Sequence, residues 1–352
     1  YNSAWKSQFL SGLMQPISIF VGNLGYVGVV ILGGYLTMNG IIAIGDIQSF
    51  ITYVRSFNQP ISSIAQNMNV LQSTAAAAER VFEFLDETEE IPETSTPVEV
   101  FDEHGETKIK GQVTFENVHF GYTPEKTIIN DFSMYIKPGK KIAIVGPTGA
   151  GKTTIIKLLM RFYELNSGAI YVDGIKTTDM RRSDLRSLFG MVLQDAWLFN
   201  GTVMENLRYG KLDATDEEVM KAADAAYVDH FIRTLEHGYD TMINEESSNI
   251  SQGQKQLLTI ARAFLADPKI LILDEATSSV DTRTEVLIQK GMEKLMENRT
   301  SFVIAHRLST IRDADLILVM KDGDIVEAGN HEDLMKENGF YTQLYNSQFE
   351  EE

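Results

Sequence analysis

The apolar positions near the start of the chain form one long uncharged run. No charged side chain occurs from Ser7 to Gly45, and within that stretch Ile17–Leu36 is almost entirely apolar or glycine. As a helix rising about 1.5 Å per residue, this run spans the roughly 30 Å hydrocarbon core of a bilayer. The pattern predicts a membrane-spanning helix; the alternative is a buried helix of a large globular protein. A signal peptide is disfavoured because no basic segment precedes the run and no small-residue cleavage site follows it.

A second helix is predicted directly after the first. Thr37–Gly45 is typical of a short turn, and helical periodicity then continues from Asp46 to Leu85 with Pro60 as its one proline. Such a helix is far longer than a bilayer is thick, so its later half is expected to project into water. Arg55 lies in the membrane half, where an ionised group is costly unless it faces protein, water or the interface. Either it lines a polar cavity or it makes a structural or interfacial contact.

The charge pattern changes after this segment. Residues 1–86 hold three basic and four acidic residues, whereas the whole chain carries 31 basic and 49 acidic residues and a formal charge of -18. Residues 86–110 contain nine acidic residues and two prolines with little apolar periodicity, which is typical of a solvated connector. Beyond residue 110, strand-like and helical stretches alternate as in an α/β domain. We therefore predict a helical membrane hairpin with an extension that projects into water in residues 1–86, an acidic linker in 87–110 and an α/β domain in 111–352.

Composition excludes several kinds of chemistry. The chain has no cysteine, which rules out a disulfide framework, a thiolate zinc site and a cysteine nucleophile. Its net charge is negative, whereas proteins that bind a nucleic-acid phosphate backbone present a positively charged surface. Nucleic acid is therefore not an expected partner.

A phosphate-binding loop is the strongest chemical pattern. The apolar run Ile142–Val145 predicts a buried strand, the next eight residues match G-x-x-x-x-G-K-[ST], and a helical pattern follows. The glycines let backbone N–H groups turn towards phosphate oxygens, Lys152 can reach the β- and γ-phosphates, and the Thr153 hydroxyl can bind Mg²⁺. The predicted nucleotide contacts of this loop are Gly146, Pro147, Thr148, Gly149, Ala150, Gly151, Lys152, Thr153 and Thr154.

A second apolar run, KILILDE, ends in two carboxylates. Open α/β sheets place their chemistry at the carboxyl ends of parallel strands, where Asp274 and Glu275 stand. Asp274 is predicted to hold the Mg²⁺ shell, and Glu275 to polarise the water that attacks the γ-phosphate. Without the upstream loop, the pair would be a strand that ends in a solvated acidic turn.

These motifs, together with the segment ISQGQKQ between them, resemble the ATPase domain of ATP-binding cassette (ABC) transporters. The resemblance covers the whole chain and implies a P-loop ATPase domain with a helical subdomain. In GQVTFENVHFGYTP it implies that Tyr122 stacks on adenine. In VLQDAWLFNGTVMENL it implies that Gln194 joins the Mg²⁺ and water shell and couples to the membrane domain. In VIAHRLST it makes His306 the switch histidine that contacts the γ-phosphate.

The resemblance also implies a partner. In the family, two ATPase domains enclose two ATP molecules, and each signature caps the γ-phosphate held by the other domain. Ser251, Gly253 and Gln254 are then nucleotide contacts, and Asp281 meets the partner subunit. The implied catalytic residues are Glu275, His306, Lys152 and Gln194, and the implied metal ligands are Thr153, Gln194 and Asp274, with ATP and Mg²⁺ as cofactors.

The membrane part fits the same resemblance. AAAAERVFEFLD is similar to the helix that leads from the last membrane span of exporters into the ATPase domain, and GFYTQLYNSQ to their C-terminal helix. Exporters carry six membrane helices per half, so residues 1–86 are expected to be the fifth and sixth, with earlier helices before Tyr1. Because ATP is cytoplasmic, the expectation is a multi-pass protein of the cytoplasmic membrane with its ATPase domain in the cytoplasm.

Two departures from the family pattern concern the signature region. The usual Leu-Ser-Gly-Gly-Gln reads Ile-Ser-Gln-Gly-Gln here, so Gln252 replaces a glycine at a place close to nucleotide. The preceding INEESSN lacks two usual glycines but keeps the acid of Glu245. We interpret the chain as one member of a heterodimeric exporter whose partner has a regular signature and a degenerate catalytic carboxylate. The alternative is a homodimer that tolerates glutamine.

The sequence therefore predicts half of a dimeric ABC exporter that uses ATP hydrolysis to move amphipathic substrates, with multiple drugs as the favoured class. A lipid or peptide exporter shares every visible motif and stays open. A soluble ABC ATPase is disfavoured because it would lack the long charge-free stretch.

Overall fold

The chain folds into two units, Tyr1–Ile91 and Pro92–Glu352. The computed structural model describes residues 2–103, 105–193, 196–243, 250–274, 281–305 and 308–349. The unit boundary falls inside the segment predicted to be a linker.

The N-terminal unit is a pair of helices, α1 (Asn2–Met38) and α2 (Ile44–Leu85), joined by a short turn as predicted. Among the described residues, Ile19–Met38 of α1 is the one helical segment that is long and apolar enough to cross a membrane. The first half of α2 does not pass the same test because polar residues recur along it, so the second span stays a prediction. Arg55 packs its guanidinium 5.4 Å from the ring centre of Tyr26 on α1, a structural contact between the two helices.

The C-terminal unit alternates strands and helices. Its strands are β1 (Val113–Phe120), β2 (Ile129–Ile136), β3 (Lys141–Val145), β4 (Ser167–Val172), β5 (Ile175–Lys176), β6 (Phe189–Val192), β7 (Gly201–Thr202), β8 (Met242–Ile243), β9 (Ile270–Asp274), β10 (Thr300–Ile304), β11 (Leu316–Lys321) and β12 (Asp324–Gly329). Its α-helices are α3 (Lys152–Leu159), α4 (Arg182–Ser187), α5 (Val203–Arg208), α6 (Asp216–Ala225), α7 (Asp229–Thr234), α8 (Gln252–Ala266), α9 (Thr282–Met296), α10 (Leu308–Arg312), α11 (His331–Glu337) and α12 (Phe340–Phe349).

A six-stranded sheet of order β12-β11-β3-β10-β9-β6 forms the centre of this unit. All neighbours pair in parallel except β12, which runs antiparallel at the edge. Successive residues of β3 point to opposite faces: Ile142 and Ile144 enter one core, whereas Ala143 and Val145 enter the other. Burial on both faces explains why these strands are continuous apolar runs rather than alternating ones. The predicted α/β class is confirmed.

Two further layers cover the central sheet. An antiparallel sheet of order β2-β1-β4-β5 contributes to one core together with α3. Helices α5 to α9 contribute buried residues to the core on the other face. This arrangement confirms the predicted helical parts.

The second half of the acidic segment differs from the solvated connector that its composition predicts. Val100 and Ile109 are each 6% exposed and pack in the core that contains β1 and β2. The backbone N–H of Val98 donates to the carbonyl of Asp179 at 2.8 Å. The burial of these two apolar side chains helps to attach the acidic stretch to the domain.

A buried ion cluster fastens the first half of that segment. Arg161 and Arg182 are 4% and 6% exposed, and both donate to one carboxylate oxygen of Glu164, at 2.8 and 2.7 Å. The backbone N–H of Arg182 donates to Glu93 at 2.8 Å. Glu164 therefore bridges two buried guanidinium groups, and the backbone of Arg182 holds Glu93, close to where the chain enters the C-terminal unit.

Replacing Glu164 with glutamine is expected to lower the free energy of unfolding by about 2 kcal/mol. A buried ion pair that loses one partner typically costs about 3–5 kcal/mol, and the partial exposure of Glu164 reduces that cost. The measurement is thermal or denaturant unfolding of the full-length protein in detergent. Glu293→Gln, on the exposed face of α9, is the matched control and is expected to change the unfolding midpoint little. Equal midpoints for both variants would contradict the assigned role of the cluster.

Candidate functional site

The carboxyl ends of four parallel strands form one edge of the central sheet. Ile144 of β3 pairs with Ile304 of β10, and Ile304 pairs with Asp274 of β9. Val192 at the end of β6 pairs with Leu273, next to Asp274. The segments that follow these strands therefore meet at this edge, which is where open α/β sheets bind ligands.

The loop between β3 and α3 has the backbone that a phosphate cradle requires. Gly146, Gly149 and Gly151 have φ angles of 151°, 87° and 101°, a region that side chains disfavour. A Cβ on Gly146 would collide with the carbonyl oxygen of Met320, and a Cβ on Gly151 would lie 2.8 Å from the Ile129 side chain. Between them, Pro147, Thr148 and Gly149 are exposed and Ala150 is buried. Only glycine fits at both ends of this loop, so its backbone N–H groups can line an anion-binding concavity at the N-terminus of α3.

Lys152, the first residue of α3, turns back over the loop. Its Nζ donates to the carbonyl oxygens of Gly146 at 2.7 Å and Pro147 at 3.0 Å. Burial lowers the pKa of Lys152, and the nearby carboxylate of Asp274 opposes that shift. The ammonium thus lies at the mouth of the predicted phosphate site and faces the acid at the end of β9.

Thr153 and Asp274 lie together, as predicted. Both line a cavity of about 500 Å³ on the strand edge, to which Lys157, Tyr163 and Ile304 also contribute. A hydroxyl and a carboxylate are the oxygen ligands that Mg²⁺ prefers, with phosphate oxygens and water completing an octahedron. The donor set therefore fits Mg²⁺ bound with a nucleotide. In the described ranges, no group of three or more His, Asp or Glu residues is placed to hold a metal by itself.

Tyr122 contacts the helix that begins at the phosphate loop. It follows β1, is 46% exposed, and its hydroxyl shares a hydrogen bond of 3.2 Å with the hydroxyl of Thr154. Thr154 itself is buried. The structure therefore brings together the candidate base contact, the loop and the candidate metal ligands, although their assigned roles stay predictions.

Three predicted catalytic residues lie outside the described residues: Gln194, Glu275 and His306. Each follows the end of a parallel strand by one or two positions, after β6, β9 and β10 respectively. The coupling-loop residue Glu245 also lies outside the described residues.

The signature residues stand at another place, the N-terminus of α8. Ser251 caps this helix: its hydroxyl accepts from the N–H of Gln254 at 3.3 Å, and the Gln254 side chain accepts from the N–H of Ser251 at 2.9 Å. Gly253 is buried and Gln252 is exposed. The reciprocal pair is a capping box, which the S-x-x-Q spacing could have revealed from the sequence. Asp281 similarly caps α9, and the N–H of Thr284 lowers the pKa of its carboxyl.

Two residues near the candidate base contact were missed by sequence reasoning. Tyr163 and Lys157 both approach Tyr122, from positions more than 30 residues away along the chain. Neither residue belongs to a recognised motif, so their contact with Tyr122 is visible only in the folded structure.

Comparison with known proteins agrees with this geometry. Residues 129–278 match the family model described as ABC transporter. The chain is 54% identical over 344 residues to the fatty acid ABC transporter ATP-binding/permease protein of Mycobacterium bovis, covering 98% of this chain and 53% of that protein. The chain belongs to the ABC transporter family.

Other members of the ABC transporter family are similar over most of this chain. It is 42% identical over 337 residues to the ATP-dependent lipid A-core flippase of Desulfotalea psychrophila, covering 95% of this chain and 57% of that protein. It also resembles the structure of a bacterial Atm1-family ABC exporter with ATP bound, at a TM-score of 0.69 and 35% identity, covering 99% of this chain and 60% of that one. The chain thus spans little more than half the length of these ABC transporter relatives, with the ATPase domain at its C-terminal end.

Proposed function

We propose that the chain is the C-terminal part of an ABC exporter half that binds and hydrolyses ATP to drive transport. The observation that carries this proposal is the strand–loop–helix at β3 and α3, with Lys152, Thr153 and Asp274 gathered at one strand edge. The similarity to exporters over almost the whole chain supports the transport role.

Different groups of residues bind ATP and promote its hydrolysis. The backbone of Gly146–Gly151 and the ammonium of Lys152 bind the phosphates, and Tyr122 stacks on the base. Thr153 and Asp274, with Gln194, would hold Mg²⁺, which when bound would supply charge neutralisation at the phosphates. Glu275 polarises the attacking water, and His306 with Lys152 stabilises charge on the transferred phosphoryl group.

We further propose that residues 1–86 are the last two spans of a multi-pass protein of the cytoplasmic membrane. The apolar segment of α1 and the exporter relatives support this arrangement. In this proposal the chain interacts with two partners, the lipid bilayer and a second half-transporter. ATP binds better to the closed pair of ATPase domains, so the cycle shifts the population between inward-facing and outward-facing states.

The substrate is proposed to be an amphipathic lipid, with a fatty acid as the first choice. Two relatives described above are named for a fatty acid and for lipid A-core, and none of those described is named for a drug. This changes the preference from the multidrug substrate that the sequence alone favoured.

The substrate test uses the full-length protein, alone and together with its candidate partner, in proteoliposomes with MgATP outside. A fluorescent fatty acid and ethidium serve as the lipid and drug probes, and Lys152→Ala as the inactive control. We expect ATP-dependent movement of the fatty acid, abolished by Lys152→Ala, and none of ethidium. Movement of ethidium without the fatty acid would return the proposal to multidrug export, and movement of neither would contradict both.

The asymmetric pair predicted from the signature is a second proposal. Gln252 is exposed at the first position of α8, where its side chain would face nucleotide held by a partner. We propose a partner with a regular signature and a weakened catalytic carboxylate. ATP hydrolysis should then require both chains, and full activity of this chain alone would contradict the asymmetric pair in favour of a homodimer.

A further inference from the structure

Three aromatic rings are in mutual contact beside the phosphate loop, and two of the three pairs meet edge to face. The ring centres of Tyr122 and Tyr163 are 5.0 Å apart, with 84° between the ring planes. Phe120 meets Tyr122 at the same separation and 83°. Edge-to-face geometry is a favoured arrangement for aromatic pairs, and it stabilises them beyond the burial of their surface. Tyr122 is therefore held from two sides by ring contacts.

Helix α3 holds Tyr122 at two more points. Lys157 places its Nζ 5.8 Å from the Tyr122 ring centre and 6.0 Å from that of Tyr163. One turn earlier, Thr154 shares the hydrogen bond with the Tyr122 hydroxyl. The ring that should stack on the base is thus fixed to the same helix whose N-terminus receives the phosphates.

Tyr163 stands between the base end and the phosphate end of the site. It is 43% exposed, so burial in the core explains little of its placement. It touches Tyr122 on one side and lines the cavity that contains Thr153 and Asp274 on the other. A tyrosine in this position can act on the nucleotide through Tyr122 while leaving the core intact.

We infer that Tyr163 is a positioning residue for the nucleotide base: it fixes the Tyr122 ring in the orientation that stacks on the base of bound ATP. The inference rests on the proposed ATP-binding function. A ring held in its bound orientation before binding loses less side-chain freedom when the base arrives, which strengthens binding without a direct contact. Phosphate binding should be affected less than base binding, because Lys152 is held by the loop carbonyls and not by this ring.

The test is nucleotide binding by the full-length protein in lipid nanodiscs, followed by displacement of the fluorescent nucleotide TNP-ATP. The competitors are MgATP and inorganic tripolyphosphate, which has phosphates but no base. Tyr163→Leu is expected to weaken MgATP binding by about threefold to tenfold, with tripolyphosphate binding unchanged. Tyr163→Phe keeps the ring edge and should bind MgATP as the wild type does.

Two further comparisons make the inference falsifiable. Tyr135→Leu, at an exposed tyrosine on β2, is the matched control and should bind both competitors normally. In a Tyr122→Leu background, Tyr163→Leu should have no further effect, because the residue acts through that ring. Independent, additive losses would overturn the inference, as would an unaffected Tyr163→Leu or an equal loss of tripolyphosphate binding. A wild-type protein that binds no MgATP would instead contradict the proposed function and the inference together.

Discussion

Replacing Lys152 with alanine is expected to lower kcat/KM for ATP by about 10²–10³-fold, as the loss of one preorganised charge donor does in other active sites. The ammonium lies inside the loop, 2.7 Å from the carbonyl oxygen of Gly146, and burial has already removed part of its hydration. A charge in such a site attracts phosphate oxygens with little screening by water. Its loss should therefore weaken both ATP binding and hydrolysis.

The measurement is steady-state ATP hydrolysis together with nucleotide binding, both in lipid. Lys137→Ala, at an exposed lysine in the turn before β3, is the matched control and is expected to keep normal activity. A Lys152→Ala variant that hydrolyses ATP at a rate close to the wild type would contradict the assignment of the phosphate site to this loop.

Replacing Glu275 with glutamine is expected to affect hydrolysis alone. We expect kcat to fall by about 10²–10⁴-fold and the affinity for MgATP to be retained. Glutamine keeps the shape of the side chain but does not accept a proton from the attacking water. Glu275 directly follows Asp274 at the end of β9, so its role rests on the family resemblance and on that position.

The pair of variants separates binding from chemistry. Glu275→Gln should trap bound MgATP, whereas Lys152→Ala should bind little, and Glu293→Gln on α9 controls for the loss of one carboxylate. Loss of ATP binding in Glu275→Gln, or an unchanged kcat, would contradict its assignment as the group that activates water.

The parts of the site that are local in sequence could be predicted. The apolar run of β3, the glycine spacing and the start of α3 all follow from residues within one stretch, because strand burial, positive φ angles and helix initiation are short-range effects. The end of β9 at Asp274 was predictable for the same reason. These elements are confirmed.

The parts that depend on contacts across the chain could not be predicted. The rings of Tyr122 and Tyr163 meet only because β1 and the segment after α3 pack side by side, and no pattern in either segment encodes that register. The same holds for Glu164 between its two arginines and for the burial of Val100. The composition of the acidic segment predicted a solvated connector because charged residues dominate it. The attachment depends on two apolar residues, Val100 and Ile109, which contribute little to that composition.

For helix α2, the sequence pattern predicts the secondary structure but not the surroundings of the helix. Its periodicity predicted a helix, and the helix is present, but periodicity does not report whether the outer face meets lipid. Polar residues keep the hydropathy of its first half below that of α1.

The most direct test of the account is MgATP hydrolysis by the full-length protein in lipid vesicles, alone and with its candidate partner, beside Lys152→Ala and Glu275→Gln. The account predicts hydrolysis by the wild type that is stimulated by a fatty acid and lost in both variants. Hydrolysis that persists in both variants, or that is absent from the wild type with and without a partner, would contradict it.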